Sequence, residues 1–111
     1  MKKITKFIFL FSLLLSLISF TENKVLKCTA TWYDTKKHPK IHREYSTAAF
    51  NVYPRETKLL VTNILNGKSD TVIVTDRHNS HISHIDLSKN SFSKLASIKK
   101  GKINVTVKKI N

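Results

Sequence analysis

Apolar and polar residues alternate with a period of two through most of the chain, which marks it as built mainly from strands. Over residues 25–33, Leu26, Cys28, Ala30 and Trp32 share one face and Lys27, Thr29, Thr31 and Tyr33 the other, so the first face should turn inward. Residues 34–44 are polar and basic, interrupted by Pro39, and read as a loop. A short strand or turn over 45–51 ends at Tyr53-Pro54. Residues 58–63 form a strand through Leu59, Leu60 and Val61, and Asn66-Gly67 is the strongest turn signal, joining 58–64 to 69–76 as a hairpin. In the second arm Val72 and Val74 lie on one face and Thr71, Ile73 and Thr75 on the other; continuing the alternation puts Asp76 with the valines at the strand end. Residues 78–84 read as a loop, and Ile85 and Leu87 flank Asp86 in a short strand. Ser88 is a candidate N-cap for a helix to Ile98, with Phe92, Leu95 and Ile98 at helical spacing and Gly101 at its exit. Residues 102–110 close the chain as a strand with Ile103, Val105 and Val107 on its buried face. Six short strands and one short helix suit a small barrel; by periodicity alone a sandwich fits nearly as well.

Composition narrows this picture. At 111 residues there is room for one domain. Residues 1–21 have the form of an export signal: Lys2, Lys3 and Lys6 make a basic start, and the run from Phe7 to Phe20 is apolar except for Ser12, Ser16 and Ser19, too short to span a bilayer comfortably. The folded domain then occupies 22–111, and the expected location is the periplasm, cell envelope or exterior, with membrane contact only through the signal segment. Cys28 is the single cysteine, so no internal disulfide forms and stability must come from the core. It follows Val25-Leu26-Lys27 rather than a small residue, which argues against a lipid anchor. Closing the sheet into a barrel would remove exposed strand edges.

The formal net charge is +13, spread over Lys36, Lys37, Lys40, Arg43 and the lysines near the C-terminus. No nucleic-acid-binding module is recognisable, and export argues against that partner. Attraction to an anionic envelope polymer or lipid surface, or a solvated basic face, accounts for the charge.

The chemistry concentrates between Val72 and Ser88. A carboxylate at a strand end, as at Asp76, must be paired, hydrated at a cleft mouth, or used in a reaction. Thr75-Asp76-Arg77, Ile85-Asp86-Leu87-Ser88 and Phe92-Ser93-Lys94-Leu95 occur in that order, preceded by Ala30-Thr31-Trp32-Tyr33, Ser46-Thr47-Ala48-Ala49, and Val61-Thr62-Asn63 with Asn66-Gly67-Lys68. In this order the fragments resemble the RlpA-like (rare lipoprotein A) double-psi β-barrel family across roughly residues 28–110. The resemblance implies a mostly β fold, a six-stranded double-psi β-barrel with one short helix. It also implies lytic transglycosylation of peptidoglycan, in which a carboxyl protonates the glycosidic oxygen and the sugar's own C6 hydroxyl attacks the anomeric carbon, leaving a 1,6-anhydro product. The expected acid/base is Asp76, with Glu44 as an acidic partner and Tyr33, Arg77 and His78 as substrate contacts; no cofactor or metal is expected, and the protein is expected to act as a monomer on peptidoglycan or another anionic wall glycan. Asp86 is expected to fix backbone at the start of the helix.

The chain departs from the family pattern in three places. The family's T-A-A-H becomes Thr47-Ala48-Ala49-Phe50, so its histidine is replaced by Phe50; Ile41-His42-Arg43-Glu44-Tyr45 stands in a shortened version of a preceding acidic stretch; and Tyr53-Pro54-Arg55-Glu56-Thr57 replaces a glycine-containing turn. His78, His81 and His84 recur every three residues and read as a polar loop, as a metal-binding set, or as a source of the missing histidine. Two further functions therefore stand beside the enzyme: a non-catalytic glycan-binding module of the expansin kind, and an interaction or inhibitor protein on the same barrel.

Overall fold

The computed structural model of the chain describes residues 24–79 and 81–111. The expected export signal at 1–21, and the start of the domain at 22, lie outside the described residues. The elements run β1 (Val25–Tyr33), α1 (Ile41–Glu44), β2 (Thr47–Phe50), β3 (Lys58–Asn63), β4 (Ser69–Asp76), β5 (His84–Ser88), α2 (Lys89–Leu95), a 3-10 turn (Ile98–Lys100) and β6 (Ile103–Lys109).

The six strands close in the order β1-β5-β2-β4-β3-β6. β1 with β5 and β2 with β4 run parallel, and the remaining pairs are antiparallel. β3 and β4 are joined by the expected hairpin at Asn66-Gly67, where Gly67 takes φ 76°. The Asn66 and Asn63 amides both donate to the Leu95 carbonyl, at 2.9 and 3.0 Å, so the hairpin also satisfies a helix-end carbonyl of α2.

The alternation seen in the sequence is what fills the barrel. Cys28 and Ala30 of β1, Leu59 and Val61 of β3, Val72 and Val74 of β4, Ile85 and Leu87 of β5, and Ile103, Val105 and Val107 of β6 all point into one core. Phe92 and Leu95 of α2 seal one end. Cys28 lies in the middle of β1 opposite Val105 as a buried free thiol, its pKa pushed up by burial.

Three expectations change. The stretch 34–44 is not all loop: the Glu44 and Tyr45 amides donate to the Lys40 and Ile41 carbonyls and close the single turn of α1. Pro39 does not prevent this, because it stands ahead of the turn, where its missing N–H has no role. The helix expected from Ser88 to Ile98 stops at Leu95, Ala96 is extended, and Ile98 reaches the core from the separate 3-10 turn, where the Lys99 amide donates to the Ser97 hydroxyl. Ser88 occupies the N-cap position of α2, but its hydroxyl accepts the Thr47 N–H at 3.1 Å and makes no cap hydrogen bond.

Candidate functional site

Four adjacent strands, β1, β5, β2 and β4, present their outer face to one side of the barrel. Their register aligns Thr31 with Asp86, Asp86 with Ala49, and Ala49 with Asp76. Simple alternation would have sent Asp76 to the valine side. The register shifts between Ala48 and Ala49, however: Ala48 faces Val74, and Ala49 faces Asp76, so Thr75 is the extra residue of a β-bulge. A bulge re-aims the side chains that follow it. Asp76 is thereby turned outward, two strand spacings from Asp86, a separation of about 9–10 Å between Cα atoms. Ala49 is the short side chain between them.

The two carboxylates are held differently. Asp86 is half-buried and accepts a hydrogen bond from the Thr31 hydroxyl at 2.9 Å. The same hydroxyl lies 2.8 Å from His84 Nε2. Thr31 has one proton and it goes to Asp86, so His84 must donate through Nε2–H, which fixes its tautomer. Burial pushes the His84 pKa down, the His78 ring and Lys102 add to this, and Asp86 opposes it. Asp76 is open to water, with 61% of its side chain exposed; Arg55 stands 3.5 Å away and the Arg77 amide donates to it at 3.2 Å.

Tyr33 reaches across this face from the end of β1. Its hydroxyl lies 3.0 Å from His42 Nδ1 and within hydrogen-bond distance of the Thr47 hydroxyl, which is itself 2.9 Å from His42 Nδ1. The rings of Tyr33, His38 and His42 pack together, with centroids 5.1–5.8 Å apart. Burial pushes the Tyr33 phenol up; its hydrogen bond with Thr47 opposes that push, and Asp86 and Asp76 add to it. His42 is pushed down, first by burial and then by His38, against the pull of Asp76. The Thr75 hydroxyl, turned outward by the bulge, is buried beside the phenol and, like Thr47, opposes the upward push on it.

The expected site residues divide in two. Tyr33 and Asp76 come together on this face. Glu44 does not join them: it is exposed and paired with Lys40 at 3.2 Å. At about 100° per residue, positions two apart on α1 point in nearly opposite directions, and it is His42 that turns inward. Arg77 and His78 border the face. The Arg77 guanidinium approaches the Asn51 carbonyl at 3.5 Å, while the His78 backbone exchanges hydrogen bonds with the Asn51 side chain at 2.8 and 3.0 Å. The His78 ring packs edge-on against His84 and lies 2.8 Å from its carbonyl. Among the described residues no group of three histidine, cysteine or acidic side chains is placed to hold a metal ion. Trp32 belongs to the core rim, its indole N–H donating to the Ile98 carbonyl at 3.0 Å and Lys89 lying over its ring.

Phe50 shares the inward parity of Ala48, is fully buried, and packs against Tyr53. Whatever stands at position 50 on this backbone faces the core. Sequence reading missed His42, Thr31 and Thr47 as members of the site and read Asp86 as backbone support. One signal was present: the outward face of β1 carries Thr29, Thr31 and Tyr33 in succession, a polar stripe leading to the carboxylates.

Comparison with known proteins agrees with the barrel fold. The lytic transglycolase family matches residues 26–107. A search of curated proteins returned no match. Among solved structures, a mutant expansin of Clavibacter michiganensis in complex with cellohexaose superposes with a TM-score of 0.66 at 20% identity, covering 79% of this chain and 51% of that one. The Streptomyces papain inhibitor gives 0.65 at 22% identity, covering 80% and 96%. Cerato-platanin 3 from M. perniciosa gives 0.61 at 11% identity, covering 78% and 95%. The chain thus spans about half the length of the expansin. At these identities the structural likeness speaks to the barrel alone.

Proposed function

Since the chain belongs to the lytic transglycolase family of double-psi β-barrels, we propose that it is an exported protein that binds wall glycan across the outer face of β1, β5, β2 and β4 and cleaves it by lytic transglycosylation. The observation that carries this reading is the bulge in β4, which brings Asp76 onto the face that already bears Asp86. Asp76 acts as acid and then base. It gives a proton to the glycosidic oxygen as the bond from C1 breaks; the sugar's C6 oxygen bonds to C1, and the C6 hydroxyl proton returns to Asp76. No water is consumed and the carboxyl ends as it began. Asp86, held by Thr31, is the fixed negative charge opposite the developing positive charge at C1. Tyr33 is near enough for both carboxylates to act on its phenol, and the basic surface favours an anionic polymer such as peptidoglycan.

The exposure of Asp76 and its pairing with Arg55 favour a second reading, in which the face binds glycan without cutting it, because an acid open to water gains little from its surroundings. Digestion of purified peptidoglycan separates the two. The enzyme reading expects 1,6-anhydro muropeptides that fall by about a hundredfold or more in Asp76→Asn and drop clearly in Asp86→Asn. Co-sedimentation with intact wall and no released anhydro product supports the binder, and neither binding nor release refutes both.

A further inference from the structure

We propose that His42 is a positioning residue for Tyr33, holding the phenol hydroxyl over the Asp76–Asp86 face so that it meets a glycan hydroxyl there. The assignment of a glycan to that face rests on the preceding reading; the link between His42 and Tyr33 does not.

The link follows from counting protons. Tyr33 Oη, Thr47 Oγ1 and His42 Nδ1 lie within mutual hydrogen-bond range. The two hydroxyls supply two protons. An imidazole with Nδ1 bare accepts one of them, and the second hydroxyl donates to the first, so the three atoms form a closed set. Proton transfer onto Nδ1 disrupts that set, because Nδ1 then donates instead of accepting and the hydroxyl that donated to it must turn to another acceptor. The phenol has somewhere to turn: the Thr75 hydroxyl stands beside it as another acceptor. His42 therefore acts on Tyr33 in its neutral form.

The placement of His42 supports a dedicated role. α1 has one turn, Ile41, Arg43 and Glu44 are exposed, and His42 alone is buried, at 7% exposure. Three groups meet it from three elements: Tyr33 from β1, Thr47 from β2, and the His38 ring from the preceding loop. The titratable groups acting on it are His38, which disfavours its charged form, and Asp76 on β4, which favours it; burial outweighs Asp76. Arg43 and Glu44 on its own helix turn away, toward the Lys36 and His38 carbonyls and toward Lys40. Sequence position gives no hint of this, because His42 lies in a stretch that carries other histidines and cations.

The test follows Tyr33 and His42 in the free, full-length protein by NMR as pH is lowered from 8 to 5. The Tyr33 ring resonances should move with the same midpoint as the His42 imidazole, below that of an exposed histidine. In His42→Asn, whose amide occupies the place of Nδ1 but does not titrate, that movement should vanish while the pH 7 spectrum stays close to the parent. His42→Phe and Thr47→Val should each displace the Tyr33 resonances at all pH values. The proposal is overturned if the Tyr33 movement survives in His42→Asn, or disappears only in His38→Gln. Co-sedimentation with purified peptidoglycan then extends the test: His42→Phe should bind about tenfold more weakly, the effect of one lost positioning contact, and His42→Asn should recover most of that loss at pH 7. Unaltered binding by a folded His42→Phe overturns the positioning role. A parent protein that binds no glycan refutes the functional reading instead, and the NMR result still decides the link.

Discussion

Replacing Phe50 by histidine restores the residue that the family pattern carries at this position, and the structure predicts a costly core substitution rather than a repaired site. The Phe50 side chain is fully buried among the core residues and against Tyr53. Burying a phenylalanine is worth about 1.5–3 kcal/mol, of which the smaller, more polar imidazole recovers only part. An imidazole in that position also leaves its ring nitrogens without partners, at about 1–3 kcal/mol. The sum is a loss of about 3–5 kcal/mol, a large share of the roughly 5–13 kcal/mol expected for a domain of this size. The loss should deepen in acid. A histidine buried in neutral form has a folded pKa below its unfolded value of about 6.5, so the unfolded chain binds more protons and stability falls as pH drops through that value. Urea unfolding of the parent and Phe50→His at pH 8 and pH 6 measures both effects, and peptidoglycan digestion run alongside should show no gain. A loss below about 1 kcal/mol, or a rise in anhydro products, would refute the claim that position 50 faces inward.

Two other outcomes follow from the hydrogen-bond pattern. His42 and His84 both have folded pKa values lowered first by burial, so the parent protein itself should lose stability as pH falls below about 6.5, by at most about 1.4 kcal/mol per pH unit for His42 and less for the more exposed His84; urea titrations at pH 7.5 and 5.5 should show the slope, and His42→Asn combined with His84→Asn should flatten it. Asp70 accepts hydrogen bonds from Ser46 and Ser91 and pairs with Lys94, tying the start of β4 to the entry of β2 and to α2. Its side chain is only 14% exposed, so Asp70→Ala should cost about 2 kcal/mol by taking the acceptor from the Ser46 and Ser91 hydroxyl protons, and a change under about 0.5 kcal/mol in urea unfolding would show that water replaces the carboxylate.

The candidate site was less legible than the barrel, for reasons visible in single residues. Tyr33 and Asp76 stood out because each matches a family motif at the end of a strand. Glu44 was expected as the acidic partner because it falls in the stretch that stands in for the family's acidic segment, but one turn of helix, too short to leave a periodic signal, sends it to solvent and His42 inward. Asp86 resembles a strand residue ahead of a helix until β1 is laid beside it, when Thr31 and His84 show that its carboxylate is deliberately held. The lost family histidine raised a question that the backbone reframes, since Phe50 belongs to the core.

Local side-chain order was enough to locate five of the strands and the hairpin at Asn66-Gly67, and left 45–51 as a strand or turn, because alternation and turn preference act between neighbours a few bonds apart. Closure into a barrel rather than a sandwich was implied by the family resemblance of the ordered fragments, not by alternation; the bulge that turns Asp76 toward Asp86 and the meeting of His42 with Tyr33 and Thr47 were decided only in three dimensions. Each depends on which strands pair and in what register, a property of segments far apart in the chain that no run of adjacent residues encodes.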